Sequence, residues 1–263
     1  MSERSPAVGR TWESAEAGEG GKASYAPISV HNAPSPQRLN ETGDPVRLVL
    51  ATRNDHKLRE LSRLMAPYEL DPLPEDVRLP PERGTTFAAN ALGKARAAAA
   101  VTGRSAVADD SGIEASALGG APGVWSARYS GDGASDEENL AKLLRDVPED
   151  GDRRVAYVCA LAYVEPGGRE ELVHGRCEGV LAREPRGSGG FGYDPAFVPD
   201  DYPDGRTMAE LTPDEKDAIS HRGRAARELR NTLLRAEEAE RRMRGPLSVL
   251  LRGGEGRRRR ERP

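Results

Sequence analysis

The segment from Val155 to Val164 constrains the fold most, because it is continuously apolar yet too short to span a membrane. A strand with one face in water alternates apolar and polar residues, so this pattern predicts a strand covered on both faces. Gly167 and Gly168 predict a turn, and Glu170 to Leu181 is predicted to return as the antiparallel partner. The chain must therefore supply layers that cover both sides of a sheet.

The other periodic segments supply these layers. Strands are predicted at Val46 to Ala51 and Ser105 to Ala108, and a glycine-rich loop, Gly187 to Asp194, leads into Pro195 to Val198. Helices are predicted at Lys57 to Met65, Thr86 to Thr102, Asp136 to Arg145 and Pro213 to about Arg242. A proline-rich connection is predicted between the first two helices, at Pro72, Pro74, Pro80 and Pro81. This order predicts an α/β fold in which helices flank a mixed β-sheet.

The two ends of the chain differ in composition from the middle. Residues 1–44 are rich in Gly, Ser, Pro, Ala and Glu, which predicts a disordered extension, and they lack the apolar core of a secretory signal. From residue 241 onward nine arginines face two acidic residues, so residues 243–263 are predicted to be a basic, Arg-rich disordered tail. Contact of this tail with nucleic acid stays open as an alternative without further support. Residues 45–242 remain and are predicted to form one folded domain.

Charge and cysteine content narrow the class of protein. The net charge of −4 gives no general attraction to nucleic acid or membranes, and no segment approaches the roughly 18 apolar residues of a membrane span. Cys159 and Cys177 lie in apolar or strand-like contexts. They are predicted to be buried thiols of a cytoplasmic protein rather than a disulfide framework, although closeness in space is not excluded.

The segment from Thr52 to Lys57, where a predicted strand gives way to a helix, is predicted to bind an anion. A helix N-terminus presents unpaired N–H groups and a favourable dipole to negative charge. Thr52 and Asn54 would add neutral donors, and Lys57 would add a point charge suited to phosphate. The spacing is not that of a Walker A loop. The alternative is a capped helix with a solvated lysine.

Asp109-Asp110-Ser111-Gly112 follows a predicted strand, so two adjacent carboxylates are expected at the end of a sheet, where clefts form. Successive side chains on extended backbone diverge, which predicts different tasks for the two. One suits Mg²⁺, and the other suits orienting or deprotonating a water molecule. The alternative is an ordinary Asp-Ser-Gly turn.

Two clusters nearer the C-terminus suit a nucleotide. The glycines before Phe191 let backbone approach a ligand, and the aromatic ring offers a face to a planar base; a flexible loop with a core-anchoring Phe is the alternative. Lys216 and Ser220 are expected on one helix face, near His221 and Arg222, where they suit phosphate and carbonyl recognition. A solvated helix face is the alternative there.

Six blocks, taken together, resemble one known family. They are Thr52-x-Asn54-x-x-Lys57, Thr86-Phe87-x-x-Asn90-Ala91-x-x-Lys94-Ala95, Ala108-Asp109-Asp110-Ser111-Gly112, Gly119-Gly120-Ala121-Pro122-Gly123-x-x-Ser126-Ala127-Arg128-Tyr129, Gly189-Gly190-Phe191-Gly192-Tyr193-Asp194-Pro195 and Glu215-Lys216-x-x-Ile219-Ser220-His221-Arg222. In this order they resemble the non-canonical purine nucleoside triphosphate pyrophosphatases, the inosine triphosphatase family, over about Val46 to Arg230.

The resemblance implies a homodimeric, Mg²⁺-dependent hydrolase with an elongated mixed sheet and two lobes around a central active-site cleft. It implies hydrolysis of ITP, dITP and XTP to the monophosphate and pyrophosphate, which removes bases that would be misincorporated into nucleic acid. By position, Asp110 would accept the proton, and magnesium would be shared among Glu82, Asp109 and Asp110. The nucleotide contacts would come from Thr52, Arg53, Asn54, Asp55, His56, Lys57, Ser111, Phe191, Gly192, Tyr193, Asp194, Lys216, His221 and Arg222.

One position departs from the family pattern. Family members usually have Glu where this chain has Ala89, so the Thr86 capping box loses one reciprocal contact, worth on the order of 1 kcal/mol or less. Pro81 also stands where a second acidic residue is often found beside Glu82. These changes bear on the metal ligands rather than on the fold. A nucleotide-binding module that has lost turnover is therefore a second hypothesis, and a nucleic-acid binder acting through the Arg tail is a third.

Overall fold

The computed structural model describes residues 45–243. The strands are β1 (Arg47–Leu50), β2 (Glu69–Pro72), β3 (Ala106–Ala115), β4 (Arg154–Val164), β5 (Glu170–Leu181) and β6 (Phe197–Pro199). The α-helices are α1 (Asp55–Leu64), α2 (Phe87–Thr102), α3 (Asp136–Asp146), α4 (Pro213–Ile219) and α5 (His221–Met243). The predicted extension, residues 1–44, lies outside the described residues, as does the predicted tail beyond Met243.

All six strands form one sheet, in the order β2-β1-β3-β4-β5-β6. β1 pairs in parallel with β2 and β3, whereas β3, β4, β5 and β6 pair antiparallel with their neighbours. The predicted hairpin is confirmed, since β4 and β5 pair from Arg154 opposite Val180 to Val164 opposite Glu170. The predicted α/β fold, a mixed sheet flanked by helices, is confirmed as well.

The proline-rich connection is confirmed over residues 73 to 86, which contain neither helix nor strand, but the short strand β2 before it was not predicted. The strand is four residues long and ends at Pro72, which has no N–H to donate. Within the described chain it pairs with β1 alone. A short edge strand of this kind carries too little apolar periodicity to be recognised from the sequence.

β3 is longer than predicted, and the expectation that Asp109 and Asp110 lie at the end of the sheet is wrong. They stand inside the strand, opposite Leu161 and Ala160 of β4. The long apolar β4 offers backbone partners along the whole of β3, and this pairing outweighs the local turn preference of Asp-Ser-Gly.

The two faces of the sheet are covered by different helices. α1 and α5 pack on one face, and the alanine-rich α2 packs on the other. The contact under α2 is made largely of small side chains, which lets helix and strands approach closely: Ala91, Ala95, Ala98, Ala106, Ala108, Ala160 and Ala162. This close approach brings the polar residues of α2, Asn90 and Lys94, against β3.

The start of α5 lies against the middle of β5 at a glycine. A Cβ on Gly175 would come within 1.9 Å of the carbonyl oxygen of His221, so only glycine fits this contact. The contact places His221 and Arg222 directly beneath the sheet.

Two of the class predictions are tested by the fold. Both Cys159 and Cys177 are buried free thiols, as predicted. Of the helices in residues 45–243, none is both long enough and apolar enough to cross a membrane.

Candidate active site

The two adjacent aspartates of β3 point to opposite faces of the sheet. Asp109 Oδ1 lies 2.8 Å from Lys57 Nζ, and its Oδ2 accepts hydrogen bonds of 3.1–3.2 Å from Arg222. Asp110 Oδ2 accepts a 2.9 Å hydrogen bond from Asn90 Nδ2 on the α2 side. Alternation along the strand thus gives each carboxylate a different set of partners, as the sequence predicts.

Asp110 belongs to a cluster with Glu82 and Lys94. Lys94 Nζ donates to Glu82 Oε1 at 2.6 Å and to the Asp109 carbonyl oxygen at 2.7 Å, and it lies 3.6 Å from Asp110 Oδ1. Burial raises the pKa of Asp110 and the negative charge of Glu82 adds to it, outweighing Lys94 and Asn90. Burial also acts to raise the pKa of Glu82, but the Lys94 ammonium more than offsets this and holds it below its usual range.

The residues around Lys94 fit a magnesium ion. Mg²⁺ is usually held by one or two carboxylates together with substrate phosphates and water. Glu82 and Asp110 provide two such carboxylates, which both lie close to the ammonium group of Lys94. The carboxylate of Asp109 is instead engaged by Lys57 and Arg222, so the structure does not bring it to this pair. Among residues 45–243 no three His, Cys, Asp or Glu side chains gather as a metal-binding group.

Behind Asp109 runs a buried series of alternating charges, which we call the ion chain. Its members in order of contact are Lys57, Asp109, Arg222, Glu60, Lys216 and Asp194. Glu60 joins the two cations, accepting from Arg222 at 2.5 Å and from Lys216 at 2.8 Å. Burial alone would raise the pKa of Asp109, but Lys57 and Arg222 together hold it well below its usual range.

The ion chain ends beneath an aromatic ring. Lys216 Nζ lies 5.2 Å and the Arg222 guanidinium carbon 5.6 Å from the centre of the Phe191 ring, and the His56 ring centre lies 4.9 Å from it. Phe191, Lys216 and Arg222 line a cleft of about 110 Å³ that is partly open to solvent. Lys57 also lines the cleft, and its ammonium contacts Asp109, the neighbour of Asp110 in β3.

In the predicted anion loop, several side chains are engaged by protein groups. Asn54 is the N-cap of α1, and its Oδ1 accepts from the N–H groups of His56 and Lys57. The Arg53 guanidinium donates to four carbonyl oxygens, those of Leu73, Pro74, Glu75 and Val77. Thr52 Oγ1 accepts from Asn54 N–H, and Asp55 is exposed in the first turn of α1. Asn54 and Lys57 reach the cleft, whereas the Arg53 side chain turns to the β2–α2 connection.

The predicted base loop, Phe191 to Asp194, lines the cleft through all four residues. Asp194 is buried and holds the loop together, because it accepts from Phe191 N–H at 2.9 Å and from Lys216 Nζ at 2.6 Å. The Tyr193 hydroxyl donates to the Ser126 carbonyl oxygen at 2.7 Å. Ser111 Oγ accepts from Arg222 at 2.9 Å, and Ser111 also lines the cleft.

Lys216 and Ser220 do not share one helix face, so that prediction is wrong. α4 ends at Ile219, and Ser220 is an extended C-cap residue whose hydroxyl accepts from Gly223 N–H. Hydroxyl capping of this kind competes with helix continuation, and a second helix begins at His221. The break turns His221 and Arg222 into the cleft together with Lys216.

His221 is buried against Tyr157, with ring centres 4.5 Å apart and planes at 11°. Its Nδ1 has no hydrogen-bond partner among the described residues. Burial, assisted by the positive charges of Arg222 and Lys216, lowers the pKa of His221 well below its usual value. The imidazole is therefore neutral in the folded protein.

This buried imidazole predicts a pH-dependent stability. An unfolded histidine takes up a proton below about pH 6.5 while folded His221 does not, so the unfolded state binds more protons. We therefore expect the free energy of unfolding to fall as pH decreases from about 6.5 to 5, by up to about 1.4 kcal/mol per pH unit. Urea unfolding across this range will measure the slope, which His221→Gln should flatten. His174→Gln, at an exposed histidine of β5, is the control; equal slopes in both variants would contradict the assignment.

Several residues of the site carry no individual role in the sequence prediction. Glu60, Tyr157 and Asp136 show no motif, because a lone Glu on a helix, a Tyr in a strand or an Asp at a helix start is common on any protein surface or core. Asn90 and Lys94 stand inside a quoted block, and their spacing of four residues on an alanine-rich helix is a signal that both face the same way. The Thr86 hydroxyl still caps α2 by accepting from Ala89 N–H, without a reciprocal Glu.

Comparisons with known proteins agree on one family. The sequence model of the Ham1 family matches residues 48–232. The dITP/XTP pyrophosphatase of Frankia alni is 54% identical over 202 residues, covering 72% of this chain and 98% of that protein. The dITP/XTP pyrophosphatase of Mycobacterium tuberculosis is 51% identical over 193 residues, covering 68% and 91%. The solved structure of a HAM1 protein from Coxiella burnetii is 43% identical, covers 72% of this chain and 99% of that one, and superposes with a TM-score of 0.65.

Proposed function

Because the chain belongs to the Ham1 family, we propose that it hydrolyses the non-canonical purine nucleoside triphosphates ITP, dITP and XTP to the monophosphate and pyrophosphate. The observation that carries this proposal is the cleft itself. It is lined by the Phe191 ring with the buried Lys216 and Arg222, and Lys57 lines it as well. Lys57 contacts Asp109, and Asp110, the next residue of β3, lies in the cluster with Glu82 and Lys94. We assign the base to the Phe191 ring, the triphosphate to Lys57 and the proton acceptor to Asp110. Removal of such nucleotides from the cellular pool is the corresponding role.

Asp110 is the proton acceptor in this proposal. A water molecule attacks the α-phosphorus, its proton passes to the Asp110 carboxylate, and the bond to the pyrophosphate leaving group breaks. A carboxylate beside the attacking water molecule can accept its proton directly, as a general base does. Asn90 orients the carboxylate through its 2.9 Å hydrogen bond.

In this proposal, lysines neutralise the negative charge of the phosphates. Lys57 lines the cleft and Lys94 is buried between two carboxylates, so both are held in place before a substrate arrives. Fixed charges of this kind stabilise developing negative charge without reorganisation. Lys216 lies at Phe191 and pairs with Asp194, which supports a role at the base rather than at the phosphates.

Glu82 and Asp110 are the proposed magnesium ligands. Bound there, the ion would neutralise phosphate oxygens and polarise the phosphorus. Asp109 then holds Lys57 and Arg222 in position instead of contacting the metal. The residues of the chain provide the remaining steps: they bind the base, orient the water molecule and accept its proton.

Recognition of the 6-oxo group of the base requires donors at the Phe191 end. Four of the hydrogen bonds that the Arg222 guanidinium can donate already go to Asp109, Glu60 and Ser111. The backbone N–H groups at the start of α5, His221 and Arg222, are first-turn groups without helical acceptors, and they are the other candidates. An adenine amino group in this place would leave buried donors unpaired, which disfavours ATP.

A substrate panel tests the proposed function. We expect Mg²⁺-dependent pyrophosphate release from ITP, dITP and XTP, and at least about 100-fold lower kcat/KM with ATP, as for sites that hydrogen-bond a distinguishing group. Chelation of the metal should stop release with every substrate. Equal rates on ATP would remove the specificity proposal, and no release from any nucleotide would remove the enzyme proposal. Tight ITP binding without turnover would instead support the binding-module alternative.

We extend the proposal to a homodimer in the cytoplasm. The dimer is what the resemblance of the six sequence blocks to the inosine triphosphatase family implies, and two buried free thiols are typical of a reducing compartment. Sedimentation velocity of the full chain tests the first, and fractionation of cells tests the second.

A further inference from the structure

The backbone around Phe191 does not by itself determine the orientation of the Phe191 side chain. The residues on either side, Gly190 and Gly192, have φ of +71° and +63°, values that glycine adopts at little cost. Gly190 must also lack a side chain, since a Cβ there would lie 2.0 Å from Asp194 Oδ2. A segment with two such glycines has many accessible conformations, so the orientation of the Phe191 ring depends on contacts from outside the segment.

Two carboxylates supply these contacts, one at each of the two peptide groups that flank Phe191. Asp194 Oδ2 accepts from Phe191 N–H at 2.9 Å, and Asp136 Oδ2 accepts from Gly192 N–H at 2.7 Å. Hydrogen bonds from N–H to an ionised carboxylate are stronger than those between neutral groups. The peptide groups before and after Phe191 are therefore both fixed, and Asp136 is the member that comes from a distant element.

The start of α3, which carries Asp136, is also attached to a second segment that lines the cleft. Asn139 is buried in the first turns of α3, where its Oδ1 accepts from Ser130 N–H at 2.7 Å and its Nδ2 donates to the Ala127 carbonyl oxygen at 3.2 Å. Ala127 and Gly192 both line the cleft. The start of α3 is thus hydrogen-bonded to two separate segments that line the cleft.

We propose that Asp136 is a positioning residue for the base pocket, acting through Gly192 to hold the Phe191 ring where a purine stacks. The inference rests on the proposed function and adds a residue outside the six sequence blocks. Asp136 lines the cleft beside Gly192, whereas the proposed proton acceptor, Asp110, lies in the Lys94 cluster, so the task assigned to Asp136 is positioning.

The proposal separates two roles that an acidic residue at a helix start can have. A negative charge in the first turn stabilises a helix through its dipole, and Asp136 shares this turn with Glu137 and Glu138. The positioning role needs only an acceptor for Gly192 N–H, which asparagine retains without the charge. Asp136→Ala removes both, Asp136→Asn removes the charge alone, and Glu137→Ala removes a neighbouring first-turn charge that does not contact Gly192.

Steady-state hydrolysis of ITP by the full-length variants tests the proposal. We expect Asp136→Ala to raise KM about tenfold, equivalent to about 1.4 kcal/mol, with kcat changed less than about twofold. The KM values of Asp136→Asn and Glu137→Ala should stay within about twofold of that of the unmodified protein. The melting temperature should fall in all three variants, because each removes one negative charge from the first turn of α3.

Three outcomes would overturn the inference: unchanged KM in Asp136→Ala, equal increases in Asp136→Asn and Asp136→Ala, or a fall in kcat alone. If the unmodified protein hydrolyses no nucleotide, the proposed function fails separately. Calorimetric titration with ITP then compares the same variants, and the inference stands only if Asp136→Ala alone weakens binding.

Discussion

Asp110→Asn will lower pyrophosphate release from ITP by about 10²–10⁴-fold, the range typical for loss of a general base. The amide cannot accept the proton of the attacking water, whereas it can still face Asn90 and occupies the same volume. Lys94 keeps its 2.6 Å contact with Glu82, so the buried ammonium is not left unpaired. The variant should therefore fold and bind ITP, and rapid-quench measurement of a single turnover will report the lost chemical step.

Asp150→Asn is the matched control for this change. The Asp150 side chain is fully exposed on the loop between α3 and β4, and its removal should leave kcat within experimental error. A loss of ITP binding equal to the loss of turnover in Asp110→Asn would argue that Asp110 serves the metal alone. A rate near that of the unmodified protein would show that another group accepts the proton.

The fold was predictable in segments with periodic apolar residues or with helix-capping residues. The continuous apolar run of β4, the antiparallel β5 and the α2 helix between Thr86 and Gly103 follow from side-chain periodicity and end signals. β2 and the second half of β3 were not predictable, because both depend on a neighbouring strand rather than on their own residues. Pairing between distant segments leaves no local signal.

Some features of the site could likewise be predicted from the sequence, and others could not. Asp109 and Asp110 could be assigned different tasks from strand alternation, and their separate partners agree with that reasoning. The ion chain could not be foreseen, since Glu60 on α1 meets Arg222 and Lys216 only after the helices pack. Sequence motifs indicate residues that are candidates for ligand contact. The role of a buried Glu that pairs with two cations can be recognised only from the folded structure.

The ion chain leads to the largest expected effect on stability. Arg222→Met will lower the free energy of unfolding by about 3 kcal/mol, because two buried carboxylates each lose one of their two cations and keep only Lys57 or Lys216. Here two carboxylates lose a shared cation: Asp109 is 1% and Glu60 is 8% exposed. Lysine is a poor substitute, since it lacks the planar fork with which Arg222 reaches both carboxylates. Arg222→Lys should therefore lie between Arg222→Met and the unmodified protein.

Arg154→Met provides the comparison for Arg222→Met in the same urea unfolding series. Arg154 also makes a two-pronged contact with one carboxylate, Asp200, but both side chains are nearly half exposed. Water screens such a pair, so its loss should cost only about 0.2–1 kcal/mol. Equal losses in the two variants would mean that burial adds nothing to the ion chain and that Glu60 and Asp109 are hydrated after Arg222 is removed. A loss confined to Arg222→Met, together with weaker ITP binding, would show that one buried guanidinium serves both the stability of the sheet–helix packing and the base pocket above it.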